Sequence, residues 1–274
     1  MSTATHRAAD NPTGAIRAIR GAAADYLPPL LLVAALIGLW ELWVRWTDQP
    51  AYLYPAPSRI WSAFLDIHGV LPGHVRTTTV EAAAGLGAAA VVGVALAALI
   101  ASLPLARRVI YPVLVTSQTI PMVVLAPLLI VWFGLGLTPK VVIVALVGFF
   151  PIVVSTTDGL TNADREMVEL VRSMGAGRFQ VLRQVRIPAA VPAFFSGLKI
   201  AAAYAVVGAV IAEWVGASSG LGLFMERSRT AFRTDQVFVG IALVALMSIA
   251  LFGAVHVLAR IASPWMYAHT TEEE

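Results

Sequence analysis

Apolar and polar residues are distributed along this chain in long blocks. Six apolar segments stand out: Leu27–Trp46, Val80–Leu103, Val109–Phe133, Val141–Thr157, Ala189–Ala212 and Val237–Ala259. Each is near the roughly 20 residues that a helix needs to cross the hydrocarbon core of a bilayer. A backbone polar group left unpaired in lipid costs several kcal/mol, so a span is either a helix or part of a closed barrel. Barrel strands are shorter and alternate in polarity, which these runs do not. The pattern predicts an all-α membrane protein with six transmembrane helices. It divides the chain into an N-terminal tail over 1–26, a transmembrane domain over 27–265 and a C-terminal tail over 266–274. The N-terminal stretch is polar and Arg-bearing, and its first apolar run begins only near Pro28, which reads as an uncleaved first span.

Within this frame the second segment carries small residues at every fourth position: Gly85, Ala89, Gly93, Ala97 and Ala101. That spacing lays them along one face, where a neighbouring helix packs closely. Pro121, Pro127 and Pro151 fall inside the third and fourth segments. Each removes an amide donor, and either bends its helix or lines a path.

Charge adds orientation. Hydrophobic residues make up 58% of the chain and charged residues 13%, about half the charged share of a soluble domain. The net charge is +3, but 17 of the 19 basic residues are Arg scattered between apolar runs. Without a basic patch, nucleic acid is not expected as a partner. One set of alternating loops holds eleven basic residues, among them Arg107, Arg108, the 165–186 stretch and Arg260, and the other holds seven, including Lys140. This bias places both termini in the cytoplasm of a multi-pass inner or plasma membrane protein. The absence of Cys excludes disulfides and thiolate chemistry. Neither Lys140 nor Lys199 sits in a GxxxxGK[ST] loop, so the chain is not expected to hydrolyse ATP. His256 stands alone without a second ligand at metal spacing, and no metal site is expected.

One stretch breaks the apolar pattern: "REMVELVRSMGAGRFQVLRQVRIP", residues 165–188, charged and helix-patterned. Thr161 with Asp164 three residues on resembles a capping box. Asp164 and Glu166 lie in the first turn, where the helix dipole favours acids. Met167, Leu170, Val171 and Met174 recur at i, i+3, i+4 and i+7 as one apolar stripe. Gly175 occupies the place of a left-handed C-terminal residue, and a second short helix over Phe179–Val185 precedes Pro188, which starts the next span. Such a stripe packs on its own bundle, lies in the membrane interface, or enters a groove on a partner. The mixed signs of Arg165, Glu166, Glu169 and Arg172 argue against simple lipid adsorption, and two Met suit a contact that re-packs.

Glu169-Leu170-Val171, three residues, Gly175, nine residues and then Val185-Arg186-Ile187-Pro188 resembles the EAA loop of ABC-importer permeases. Glu169, Gly175 and Pro188 match that pattern by identity; Leu170, Val171, Val185 and Ile187 match by class. "PMVVLAPLLIVWFGLGLTPK" (121–140) and "IAEWVGASSGLGLFM" (211–225) are similar to the nitrate/sulfonate/taurine branch of these permeases. Within the branch, "FFPIVVSTTDGL" (149–160) is most similar to permeases for thiamine-precursor pyrimidines or riboflavin. The resemblance implies a type I ABC-importer permease fold, with a cytosolic coupling helix in a loop over about 159–187. It implies a homodimer, two ATPase subunits that carry ATP and Mg, and an extracytoplasmic solute-binding protein. It also implies no cofactor in this chain itself. Met167, Leu170, Val171 and Met174 are then expected to anchor in the ATPase, Glu169 and Arg172 to orient the contact, and Gly175 to permit the turn.

Polar groups in or near the membrane are the candidates for the path: Ser117, Gln118, Thr119, Lys199, Tyr204 and Glu213. Ser117, Gln118 and Thr119 either bond a polar heterocycle or satisfy neighbouring backbone. Lys199 either snorkels to the cytoplasmic interface or lines the cytoplasmic half of the path. Glu213 precedes a Gly/Ser-rich turn that forms either an outer gate or a structural corner. Glu41 and Arg45, at i and i+4, are expected to pair locally. A secondary carrier is the rival class, but the chain shows no clear internal repeat and few membrane carboxylates for a coupling ion. An intramembrane hydrolase would need a Ser or Thr beside a His, which no span contains.

Overall fold

The computed structural model describes residues 12–264, with side chains from Leu27 onward. Residues 1–11 of the expected N-terminal tail, and the expected C-terminal tail over 266–274, lie outside the described residues. In chain order the helices are α1 (Pro12–Trp46), α2 (Pro57–Ile67), α3 (Leu71–Ser102), α4 (Pro104–Ser117), α5 (Met122–Phe133), α6 (Leu137–Thr161), α7 (Arg165–Ser173), α8 (Arg178–Val181), a π turn (Leu182–Arg186), α9 (Ile187–Gly216), α10 (Leu221–Thr230) and α11 (Thr234–Ala262). Five are long and apolar enough to cross a membrane: α1 over Leu27–Trp46, α3, α6, the continuous run Arg178–Gly216, and α11. The sixth apolar passage is the pair α4 and α5, bent by 101°.

That bend corrects the third expected span, Val109–Phe133. The chain stays apolar but does not run straight, because the backbone turns out of the α-helix between Ser117 and Met122. Gln118, Thr119 and Ile120 donate their amides to Val115, Thr116 and Ser117, three residues back. Pro121, which has no amide to continue the ladder, then caps α5 at φ −63° and ψ 121°.

The core is built by α3, α6 and α9. The small-residue stripe of α3 takes a close neighbour as expected, and that neighbour is α6, with Gly85, Ala89, Gly93 and Ala97 buried. A Cβ on Gly85 would lie 2.3 Å from the Cβ of Val144, and one on Gly93 would lie 2.7 Å from Cγ2 of Ile152. On the other side of α6, Gly197 of α9 packs against the Pro151 backbone, whose carbonyl a Cβ would meet at 2.5 Å. Large side chains such as Phe149, Ile152, Phe195 and Leu198 fill the rest of this cluster. The outer faces of α1 and α11 stay apolar and exposed, as lipid-facing surface requires: Leu36, Leu39 and Leu42 on α1, Leu246 and Ile249 on α11.

Two short helices were not foreseen in the hydropathy pattern. The amphipathic α2 sits Ala63 against Leu71 and Val239, and its Ser58 donates through both amide and hydroxyl to Glu41. Glu41 also pairs with Arg45 at 2.6 Å, the local ion pair expected for α1. The second short helix, α10, packs beside α11 at the same end of the bundle.

Candidate functional site

At one end of the bundle the chain leaves α6 and forms α7. Its N-cap is Asp164, whose carboxylate accepts the Glu166 amide at 2.9 Å. Thr161 does not act as the cap: its hydroxyl donates back to the Thr157 carbonyl, because it still belongs to the last turn of α6. Val168, 7% exposed, turns inward. Met167, Leu170 and Met174 turn outward, at 47%, 56% and 79% exposed, and Phe179 follows at 72%. Val171 sits half-buried at the edge of the ridge, so the outward stripe is narrower than its spacing implied. Glu169 pairs with Arg165 across one turn at 3.2 Å.

Gly175 adopts φ +89°, the left-handed conformation that ends α7. Its amide donates to the Arg172 carbonyl, and that of Ala176 to Val171, so the last carbonyls of α7 are satisfied within the turn. The Gly177 amide is taken by Gln180 Oε1 at 2.8 Å. The second short helix is shorter than expected: α8 ends at Val181 and widens into the π turn that runs straight into α9. The widening has a cause in Pro188, which in a tight helix would press its ring on the carbonyl four residues back. In the π turn the Ile187 amide reaches the Leu182 carbonyl, five residues back, and relieves that crowding. The outward ridge on α7 is thus joined to α9 by one tight turn and an unbroken helical run.

Midway along the bundle lies a cavity of about 450 Å³ lined by Gln118, Phe150, Pro151, Ser155 and Tyr204, with Val147, Val154 and Ile200. It gathers the break between α4 and α5, the proline of α6 and the middle of α9. Of the expected path residues it brings together Gln118 and Tyr204. Ser117 and Thr119 instead donate to the Leu114 and Thr116 carbonyls, satisfying backbone at the break. Lys199 is half-buried outside the cavity lining. Among the described residues no charged side chain lines this cavity.

At the opposite end of the bundle from α7, Glu213 is fully buried. It accepts the Thr78 hydroxyl at 2.6 Å and the Gly222 amide at 2.5 Å. The expected gate carboxylate is therefore sealed inside the protein, because the "GASSGLG" turn folds down over it. Gly220 adopts φ +130° there, and a Cβ on it would lie 2.2 Å from the Glu213 carboxyl. The turn is pinned by His74 Nδ1, which accepts the Gly220 amide at 3.0 Å, and by Thr78 Oγ1, which accepts the Leu221 amide at 2.9 Å. Beside this corner Lys140 bonds Glu81 at 2.5 Å, with both side chains buried. Lys140 is thus no exposed loop charge. The Glu81–Lys140 pair was invisible to sequence reading, since its partners stand 59 residues apart; a charge beside an apolar segment on each was the only available signal.

Five apolar helices of membrane-crossing length and one bent apolar pair, with an exposed amphipathic helix on one end, define a multi-pass helical membrane protein. Residues 89–266 match the family described as binding-protein-dependent transport system inner membrane component. The chain is 38% identical over 240 residues to the formylaminopyrimidine transport permease protein ThiX of Halalkalibacterium halodurans, covering 87% of this chain and 96% of that one. It is 35% identical to the riboflavin transport system permease protein RibX of Chloroflexus aurantiacus, covering 86% of this chain and 89% of that one. A solved structure of the MetNI methionine ABC transporter in inward-facing conformations shares the fold, with a TM-score of 0.56 at 20% identity over 70% of this chain and 97% of that chain. The chain belongs to the binding-protein-dependent transport inner-membrane component family: it is a multi-pass permease subunit of an ABC importer, not an enzyme.

Proposed function

We propose that two copies of this chain form the path of an ATP-driven importer for a small, uncharged polar heterocycle, a pyrimidine thiamine precursor or a riboflavin-like ring. The observation that carries the substrate class is the chemistry of the midplane cavity. Gln118, Ser155 and Tyr204 offer amide and hydroxyl groups for ring nitrogens and carbonyls, and Phe150 and Tyr204 offer aromatic faces. A sulfonate, taurine or nitrate importer would be expected to place a guanidinium or ammonium there, and none lines it. The names of ThiX and RibX support the same class.

The coupling end lies in the cytoplasm with both termini, following the basic-residue bias. An ATPase subunit, which binds ATP and Mg, receives Met167, Leu170 and Met174 in a groove, while Glu169 and Arg172 orient the contact. The solute-binding protein delivers its load at the opposite face, near the Glu213 corner. Because α7 connects through Gly175 and the π turn to α9, displacing α7 moves the helix that carries Tyr204. ATP-driven closure then rocks the cavity between the two faces. The test is uptake by proteoliposomes holding permease, ATPase and binding protein, with unlabelled competitors. Formylaminopyrimidine or riboflavin should suppress uptake of its labelled counterpart; ATP-dependent uptake only of taurine, alkanesulfonates or nitrate would reject this substrate class.

A further inference from the structure

Where α3, α6 and the start of α9 diverge at the coupling end, they enclose a cavity of about 540 Å³, separate from the midplane one. Its walls are apolar, with Val94 and Ala98 on α3, Leu160 on α6 and Phe194 on α9. Arg172, Arg178 and Arg186 also line it. Among the described residues no carboxylate forms an ion pair with any of the three. Thr156, also in the lining, is 5% exposed, and its hydroxyl has no hydrogen-bond partner among the described residues. Thr161, one turn on, returns its hydroxyl to the helix backbone; Thr156 does not, and a buried hydroxyl left unmatched is costly. The cavity therefore pairs three uncompensated cations with one free hydroxyl above an apolar throat.

The geometry points to an anionic phospholipid of the cytoplasmic leaflet as the occupant, its phosphate on Arg178 and Arg186 and one acyl chain between Ala98 and Phe194. The Thr156 hydroxyl, in the same lining and without a partner among the described residues, would bond an ester oxygen of the glycerol. A free anion would use the mouth and leave the apolar throat empty, whereas a neutral lipid would leave the cations unmatched. Val94 and Ala98 are exposed on the outside of α3, which leaves the throat open for a chain. Basic pockets between helices on the cytoplasmic side take anionic headgroups for the same reason. The inference rests on the coupling end being cytoplasmic, but lipid binding in detergent is read without transport, so either proposal can fail without the other.

The experiment is native mass spectrometry of the full chain in mild detergent, titrated with phosphatidylglycerol and with phosphatidylcholine of the same chain length. Phosphatidylglycerol should be retained at least tenfold more tightly. Arg178→Gln with Arg186→Gln should abolish that preference, and Ala98→Trp, which fills the throat, should reduce retention of both lipids at least tenfold. If the double Arg variant aggregates, the exposed single change Arg178→Gln should still lower the preference severalfold. Equal retention of the two lipids, or a preference indifferent to Arg178→Gln, would overturn the assignment. So would displacement by glycerophosphoglycerol as efficient as by the lipid, which marks a free-anion site. Loss of lipid on adding the ATPase subunit would overturn it too, by marking the cavity as a protein contact.

Discussion

Replacing Lys140 with Met tests the corner around Glu213. Lys140 is 7% exposed and Glu81 2% exposed, and their ion pair joins α6 to α3. Among the described residues the second oxygen of Glu81 already lacks a hydrogen-bond partner. Without the ammonium, the buried Glu81 carboxylate is left with no cation beside it. Removing one member of a buried pair costs about 3–5 kcal/mol. At roughly 2–4 °C per kcal/mol for a chain of this size, the melting temperature should fall by about 6–20 °C. Seven tryptophans make intrinsic fluorescence in detergent a suitable readout, and the lack of Cys removes thiol-dye alternatives. Removing both charges, in Glu81→Leu with Lys140→Met, should restore most of the loss, because the uncompensated charge is gone. A Lys140→Met protein that melts within about 2 °C of wild type, or a double variant whose losses simply add, would refute this reasoning.

Other perturbations reach the remaining parts of the account. Burying a whole Leu or Met side chain is worth about 1.5–3 kcal/mol; with Leu170 56% exposed, Leu170→Ala should weaken ATPase binding in a pull-down titration by about fivefold to tenfold. Leu170→Asp should abolish it without changing the melting temperature. Gly85→Val should collapse folded yield on size-exclusion chromatography, since its Cβ alone would sit 2.3 Å from Val144. Gly87→Val, with nothing within 4 Å of its Cβ, should leave the yield unchanged. Lys199 lies outside the cavity lining, so Lys199→Met should leave uptake at equal membrane abundance unchanged, as a snorkelling side chain would; a severalfold loss would place it on the cytoplasmic half of the path.

Much of this architecture was legible in the chain because the relevant signals are local. Helical span existence follows from runs of apolar residues, a close helix contact on one face of α3 from glycines and alanines four apart, and the α7 ridge with its Gly175 turn from the i, i+3, i+7 spacing. Local chemistry was also where detail slipped. Thr161 reads as the cap with Asp164 as its partner in the first turn, and the backbone direction instead makes Asp164 itself the cap. Pro121 announced an interruption but not that the chain turns through 101°. What sequence reading missed depends on distant pairing: Thr78 meets Glu213 across 135 positions, and Lys140 meets Glu81 across 59. No periodicity encodes such partners. Short helices such as α2 and α10 escaped because they are stabilised by packing on α11, not by a span-length apolar run.

The central claim is that ATP hydrolysis in a partner subunit drives solute through this chain by way of α7. The most direct measurement records ATP hydrolysis and solute uptake together, in proteoliposomes containing the ATPase and binding protein, for the wild type and for Gly175→Val. Gly175 holds φ +89°, a conformation that a β-branched residue resists. Wild-type vesicles should import only with ATP and ATPase present, while Gly175→Val should retain hydrolysis and lose uptake at least tenfold. Uptake that persists without the ATPase, or a Gly175→Val protein that couples as the wild type does, would contradict the account.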